Sequence, residues 1–206
     1  YLSEGNVTTY GRVYISQSKS SQNFGKFIEI LKGIPFKSTY KEKEGKFRIN
    51  SVQLARYLAQ FGNSHEKYVP SHVKNATPKI MREFIDSFRL GDGCIHYGKI
   101  RLCTSSKKMM DDFQEMFVKL GIRGTITVDR RRTMINPLNK KIYPAKPIYA
   151  IEENGKNKTS IRKNNVYSVD YEGYIGCVTV STGFVVVRRN NRVAISGNTG
   201  GMGSYK

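Results

Sequence analysis

Apolar residues recur at helical spacing near the middle of the chain, and the strongest such stretch runs from Phe84 to Leu90. Its apolar positions would form a continuous stripe along one side of a helix. The stretch ends on Gly91, Asp92 and Gly93. A glycine at position 91 would let another backbone come close, and one at position 93 would end the helix. The pattern therefore predicts a closely packed helix with a carboxylate at its end.

The first five residues resemble the tail of a second copy of this helix, so the chain is expected to begin within that copy. Apolar, acidic and glycine residues recur in the same order, as Leu2, Glu4 and Gly5 and again as Leu90, Asp92 and Gly93. If the two helices pack side by side, their acidic residues meet at one end. Adjacent carboxylates need a cation between them, because unneutralised like charges raise a pKa. Oxygen ligands of this kind suit Mg²⁺, so the pair predicts a magnesium site.

The residues after each copy follow one pattern, which indicates a diverged internal repeat. An alternating strand, a serine-rich helix start and an apolar helix follow Gly11, and the same series follows Gly98. The offset from Gly11 to Gly98 equals the offset from Ser18 to Ser105. Before the second copy, Thr77-Pro78 is a helix-start signal, with Thr77 as the cap.

Alternation of polar and apolar positions predicts strand pairs between these helices. In the first half the predicted hairpins and helices are 6–19, 21–32, 36–49 and 51–61, and the late strands of the second half are 126–132 and 146–151. Between those late strands a long loop containing Pro and Asn is expected. Helices packed on one face of a sheet give an α+β fold.

The composition changes toward the C-terminus. Residues 152–165 are polar and aperiodic, which predicts a linker. Four strand-like segments follow, at 166–170, 177–180, 184–187 and 193–195. Asn190 and Asn191, between the last two, suit a type I′ turn. We interpret this region as a small all-β piece that would not fold well alone.

Charge narrows the class of partner. The chain of 206 residues has 35 Lys and Arg against 16 acidic residues, a net charge of +19. Such an excess points to a polyanion, nucleic acid first and an anionic membrane second. No apolar run approaches membrane-spanning length and no basic amphipathic helix is present, so no membrane partner is expected. The three cysteines are scattered, which favours a reducing compartment; we expect a cytoplasmic protein of microbial or phage origin.

These motifs resemble those of the LAGLIDADG homing endonucleases, in the form with two pseudo-symmetric halves on one chain. The resemblance covers residues 1–151 and implies a pseudo-twofold αββαββα repeat that cuts double-stranded DNA. Glu4 and Asp92 would take the metal-binding positions of that family, with Mg²⁺ as the cofactor. Lys67, shortly before Pro70, resembles the lysine of the family that helps to polarise the attacking water. The alternative for Lys67 is a solvated loop lysine, the commoner place for this residue type.

Basic and aromatic positions on the predicted strands and in the long loop would contact the DNA. From the strands alone, a sheet with one solvated face is nearly as good an interpretation. The loop is suited to reach along a phosphate backbone. The candidate DNA-contacting residues are Arg12, Tyr14, Lys99 and Arg101 on strands, and Arg130, Arg131, Arg132, Lys140 and Lys141 in the loop.

Asn198 followed by Thr199 indicates a second chemistry. The Asn amide nitrogen can attack the carbonyl carbon of its own residue, form a succinimide and cut the chain after it, while the next hydroxyl can accept an acyl group. This junction and the strands before it resemble the end of an intein with a HINT-type splicing fold. The resemblance implies that residues 166–198 are a C-terminal splicing segment and that 199–206 belong to the host protein, the extein.

The details resemble the class 3 inteins. There an internal cysteine takes the first acyl transfer, a role that falls to Cys177 and suits a thiolate nucleophile. Ser196 stands two residues before Asn198, as in that class, whereas Gly197 replaces the histidine of most inteins and supplies no proton donor. The alternative for Cys177 is a small buried residue in a strand.

The leading hypothesis is the C-terminal part of an intein, possibly split, that joins protein splicing to site-specific DNA cleavage. Its partners would be DNA, a complementary N-terminal intein fragment and the host protein. Residues 200–206 loosely resemble a phosphate-binding P-loop, which would suit an ATPase host. The alternatives are a free-standing LAGLIDADG endonuclease or maturase with an unrelated β tail, and a DNA-binding module without catalysis. The Asn198-Thr199 junction separates the first two, and the paired acids argue against the third.

Overall fold

The two halves of the predicted repeat are visible in a computed structural model of the protein. It describes residues 1–130, 133–135, 140–154, 163–174, 176 and 178–197. Cys177, Asn198, Thr199 and the P-loop-like residues lie outside the described residues, as do Arg131 and Arg132. Among the described residues, no helix has both the length and the apolar character that crossing a membrane requires.

The first half is a four-stranded antiparallel sheet with two helices. Its elements are β1 (Gly5–Val7), β2 (Arg12–Ser16), α1 (Phe24–Lys32), β3 (Ser38–Lys41), β4 (Lys46–Asn50) and α2 (Val52–Ala59). The strand order is β1-β2-β4-β3. A short 3₁₀ turn and Gly45, whose φ of 62° is in the left-handed region, connect β3 to β4. The predicted hairpins and helices are confirmed, with α1 beginning three residues later than expected.

The second half repeats this topology after a short connecting helix, α3 (Ser71–Lys74). Its elements are α4 (Pro78–Asp92), β5 (Gly93–His96), β6 (Lys99–Thr104), α5 (Lys107–Lys119), β7 (Gly124–Asp129), β8 (Thr133–Ile135), β9 (Ile142–Pro144) and β10 (Ile148–Glu153). The strand order is β5-β6-β10-β7, which corresponds to that of the first half. The internal repeat inferred from the sequence is therefore present in the fold.

Side-chain caps begin three of the helices, and the predicted cap at Thr77 is among them. Thr77 accepts a hydrogen bond from the Ile80 amide, and Pro78 occupies the first turn of α4. Ser51 and Ser106 cap α2 and α5 in the same way. The capping side chains satisfy amide groups that a helix start otherwise leaves without partners.

Each sheet buries one face beneath its helices. In the first half, alternate residues of β2 and β4 pack against Phe27 and Leu31 of α1. The second-half core is larger and is formed by residues of α4, α5, β6, β7 and β10. Each half contributes one leucine to the core of the other half: Leu2 packs against the second core and Leu90 packs against the first. The two halves are thus joined at the predicted motif segments.

The long loop between β7 and β10 is not wholly irregular, which corrects the prediction. The short strands β8 and β9 pair there, with Met134 opposite Tyr143. Their apolar side chains are exposed, so the pairing adds no core. The alternation in this segment is short, and the loop composition around it hid the hairpin from sequence reasoning.

The C-terminal region differs from the four predicted strands. β11 (Phe184–Arg189) and β12 (Arg192–Gly197) form a hairpin, and Asn190 and Asn191 have φ angles of 50° and 63°, which confirms the type I′ prediction. The segments 166–170 and 178–180 are not strands, so those two predictions are wrong for the described residues. Val166 and Tyr167 are exposed there. Strand propensity is weak without a neighbouring strand to pair with. β10 also extends to Glu153, into the predicted linker.

Candidate functional site

The ends of the two motif segments lie against each other. α4 ends at Asp92, and the residues before Gly5 form a helical turn in which the Gly5 amide donates to the Tyr1 carbonyl over 2.7 Å. A Cβ atom placed on Gly91 would lie only 2.7 Å from Cγ of Glu4. The absence of a side chain at Gly91 therefore permits the contact, as the sequence predicted, and brings Glu4 beside the end of α4.

The ionised forms of both carboxylates are disfavoured at this place in the fold. Burial, followed by the charge of Glu4, raises the pKa of Asp92 from its ordinary 3.8 to about 6, although the charge of Lys67 opposes the shift. Burial also raises the pKa of Glu4, again against the effect of Lys67. A pair of this kind gains from any cation that approaches it.

Lys67 is buried at the same place, with 5% of its surface exposed. Its Nζ donates hydrogen bonds to the Gly5 carbonyl at 2.7 Å and to the Tyr1 carbonyl at 3.1 Å. Burial lowers the pKa of the Lys67 ammonium, while the charges of Asp92 and Glu4 counteract this. The alternative of a solvated loop lysine is thus wrong, and the catalytic role of Lys67 stays a prediction.

The loop that carries Lys67 is held by α5 of the other half. The Ser106 hydroxyl, which caps α5, donates to the Lys67 carbonyl at 2.5 Å. The Val69 amide donates to Oδ2 of Asp112 at 3.0 Å, and both of these side chains are buried. The sequence analysis found the serine-rich helix start but not this contact. No local pattern predicts the contact, because it joins residues far apart in the chain.

The donor set fits a hard divalent cation. Glu4 and Asp92 offer carboxylate oxygens, the ligands that Mg²⁺ prefers, and Mg²⁺ usually retains several waters and binds one or two carboxylates. Within the described ranges, there is no group of three or more His, Cys, Asp or Glu that could hold a metal. A tetrahedral zinc site needs such a cluster of ligands, whereas two carboxylates with bound waters are enough for Mg²⁺.

The open face of the first sheet carries a row of polar side chains. In the antiparallel register, Tyr14 lies opposite Arg48 and Arg12 lies opposite Asn50. Residues directly opposite each other share a face. Lys46 Nζ stands 6.0 Å from the Tyr14 ring centre. The sequence analysis named Arg12 and Tyr14 and missed Arg48 and Lys46, although the alternation in β4 was a signal for both.

The open face of the second sheet carries both basic and acidic side chains. Lys99 lies opposite His96, and Arg101 lies between Cys94 and Glu152. Nη1 of Arg101 is 3.4 Å from Oε2 of Glu152, so this predicted DNA contact is engaged within the protein. In the loop, Arg130, Lys140 and Lys141 are exposed.

The predicted splice junction is only partly described. Ser196 and Gly197 end β12, opposite Val185 and Phe184, and both are exposed. The Ser196 hydroxyl donates to the Gly197 carbonyl at 3.3 Å. Among the described residues, the structure brings neither of them near the Glu4, Asp92 and Lys67 cluster.

Comparison with known families agrees with the second half of the repeat. Residues 79–166 match the model of the LAGLIDADG-like domain. The matched range begins in α4 and includes Asp92 and the whole second sheet.

Similar individual proteins are distant. The chain is 27% identical over 169 residues to the beta subunit of ribonucleoside-diphosphate reductase from Aquifex aeolicus (strain VF5). The match covers 71% of this chain and only 23% of that relative. Among solved structures, a mesophilic variant of the homing endonuclease I-DmoI is 16% identical, with a TM-score of 0.45 over 70% of this chain and 73% of the other. The complex of I-DmoI with DNA and Ca is also 16% identical, with a TM-score of 0.46 and coverages of 70% and 69%.

Proposed function

We propose that the protein is a Mg²⁺-dependent endonuclease of the LAGLIDADG homing type that cuts double-stranded DNA. The observation that supports this function best is the convergence of Glu4, Asp92 and buried Lys67 at the contact between the halves. Burial disfavours the ionised form of these two carboxylates, and a bound cation would stabilise it. Such a pair is not required for structural stability alone.

The roles of the residues follow from their chemistry. Glu4 and Asp92 would hold the ion, which would compensate the negative charge that the Lys67 ammonium leaves. Bound there, the ion would activate water and stabilise the leaving oxygen of a phosphodiester. Lys67 keeps an ammonium group beside both acids, where it orients water and offsets negative charge as the phosphate reacts.

The rest of the surface supports a DNA substrate. The net charge of +19 favours a polyanion. Arg12, Arg48, Lys46 and Lys99 stand on the open sheet faces, where they can reach phosphates or base edges in the major groove.

The cleavage test is an Asp92→Asn variant assayed with Mg²⁺ on a library of duplexes. We expect the unchanged protein to cut a subset of the library and the variant to bind that subset without cutting it. The matched control is Asp86→Asn, which changes a half-exposed acid on the same helix; this variant should cut normally. Cutting by the Asp92 variant would contradict the assignment.

We further propose that the endonuclease belongs to an intein. In this proposal Asn198 cyclises, Thr199 and Cys177 act as nucleophiles, and a complementary N-terminal intein fragment completes the fold. Support comes from the Asn198-Thr199 sequence and from the relative, a reductase subunit of which the matched segment is 23% of the length. A segment that resembles a DNA-cutting domain and is a minor part of such a subunit is what an inserted element would produce. The host is open, and an ATPase remains a candidate.

A free-standing endonuclease with a β tail is the competing proposal. It is favoured by the lack of strands at 166–170 and 178–180. Mixing the protein with a fragment that carries upstream splicing strands, and weighing the products, separates the two. Splicing predicts ligated flanks that disappear in Asn198→Ala and in Cys177→Ala. If no ligation occurs while DNA cleavage persists, the free-standing enzyme is the correct proposal.

A further inference from the structure

The central pair of the second sheet differs from its counterpart in charge at both positions. In the first sheet, β2 and β4 place Tyr14 opposite Arg48. In the second sheet, the equivalent strands β6 and β10 place Arg101 opposite Glu152. Since the two sheets have corresponding strand orders, Glu152 occupies the position that Arg48 has in the first half.

Glu152 joins two basic side chains on this face. Its Oε2 is 3.4 Å from Nη1 of Arg101 and 3.4 Å from Nδ1 of His96. The Glu152 side chain is 33% exposed and that of Arg101 is 40% exposed, so the group is accessible from the open side of the sheet. The Arg101 guanidinium also interacts with Cys103, and an arginine has five N–H donors, more than these two neighbours use.

An acid at this position is unexpected on a surface that binds phosphates. The alternate positions of β1 to β4 that share the open face of the first sheet contain no carboxylate among the described residues. Glu152 repels a phosphate backbone and reduces the charge that Arg101 offers to it. A residue that weakens non-specific attraction at the centre of an interface is suited to selectivity.

We propose that Glu152 is a specificity-determining residue of the DNA interface. It restrains Arg101 from binding the phosphates of any duplex and presents its guanidinium to a guanine edge in the major groove, where arginine binds O6 and N7. This inference rests on the proposed DNA-binding function and adds to it the base that the second sheet selects.

The first test uses a random-sequence duplex, with Glu152→Gln and, as the matched control, Glu153→Gln. Glu153 neighbours Glu152 on β10 and projects to the opposite face of the sheet. We measure binding by fluorescence anisotropy at several salt concentrations. The Glu152 variant should bind more tightly, and the slope of log Kobs against log salt should steepen by about 0.9, as one more phosphate contact forms. The Glu153 variant should match the unchanged protein.

The second test selects bound duplexes from a randomised library. The unchanged protein should fix a G·C pair at one position, and Glu152→Gln and Arg101→Ala should each lose roughly tenfold of the discrimination at that pair. Thermal unfolding of each variant shows that it remains folded. If Glu152→Gln changes neither the salt-dependence slope nor the base preference, the inference about Glu152 is wrong, although the proposed DNA binding is not affected. An unchanged protein that binds no duplex would overturn the proposed function itself.

Discussion

At the scale of single residues, Asp92 combines a functional position with an unfavourable environment. Its pKa is raised to about 6 by burial and by Glu4, so ionising it in the folded protein costs free energy. The cost is absent below pH 3.8, grows between pH 3.8 and 6, and is complete above pH 6. Stability is therefore reduced at neutral pH in return for a pair of charges that can bind a cation.

Asp92→Asn should stabilise the metal-free protein at pH 7.5. Because Asp92 is partly exposed, the gain should be about 1 kcal/mol, less than the full shift implies. The gain should be much smaller near pH 4 and should vanish at about pH 3, where the aspartate is largely protonated in both the folded and unfolded states. Urea unfolding at these pH values measures the difference.

Added Mg²⁺ completes this experiment. Millimolar Mg²⁺ should raise the free energy of unfolding of the unchanged protein at pH 7.5, because an ion that binds only the folded state stabilises it. It should leave Asp92→Asn nearly unaffected. Asp86→Asn, which removes a half-exposed charge from α4, should respond to Mg²⁺ as the unchanged protein does. A destabilised Asp92 variant at pH 7.5 would contradict the account of the site.

At the scale of elements, the contact between α4 and the first motif segment depends on Gly91. Gly91→Ala should lower the free energy of unfolding by about 1–3 kcal/mol, because its Cβ would meet Glu4 at 2.7 Å. Alanine at Gly25, in α1, has no atom within 4 Å of its Cβ and should instead stabilise by about 0.5–1 kcal/mol. Chemical denaturation of both variants tests the pair. Equal effects at the two sites would mean that Gly91 is not at a close contact.

The cap of α5 should affect function as well as stability. Ser106→Ala removes the cap and the hydrogen bond to the Lys67 carbonyl. Ser51→Ala removes only the cap of α2. We expect a loss of about 1 kcal/mol for Ser51→Ala and roughly 2–3 kcal/mol for Ser106→Ala, since a buried carbonyl loses its partner.

Only Ser106→Ala should slow DNA cleavage under saturating substrate at a temperature where both variants are folded. A fall in kcat with little change in KM would indicate misplacement of Lys67. Ser106→Thr, which keeps the hydroxyl, should recover most of the rate. A normal kcat in Ser106→Ala would show that this clamp serves stability alone.

At the scale of the whole molecule, the positive charge should act mainly through the open sheet faces. Replacing Arg12 and Arg48 by glutamine should reduce the slope of log Kobs against log salt by about 1.8 for duplex DNA, from two lost phosphate contacts. Replacing Lys26 and Lys32 of α1 removes the same charge from the helical side. That control should change the slope little. Equal changes of slope in the two double variants would mean that the DNA does not bind mainly at the open sheet faces.

Local patterns in the sequence were sufficient to predict the repeat, the Thr77 cap, the type I′ turn and the acidic residue at the end of α4. These features depend on local periodicity and on residues such as Thr77 and Asn190, whose conformational preferences act over a few positions. The predicted strands at 166–170 and 178–180 failed for the converse reason. A strand requires a neighbouring strand, and local composition does not supply one.

The surroundings of the acids and the availability of the basic residues depend on tertiary packing. Burial of Lys67 against the Gly5 carbonyl, its attachment to Ser106, and the pairing of Arg101 with Glu152 all join residues distant in the chain. The raised pKa of Asp92 likewise depends on burial and on Glu4, which the packing of the two halves brings close. Periodicity specifies which face of an element is buried, and the packing of elements specifies which side chains meet.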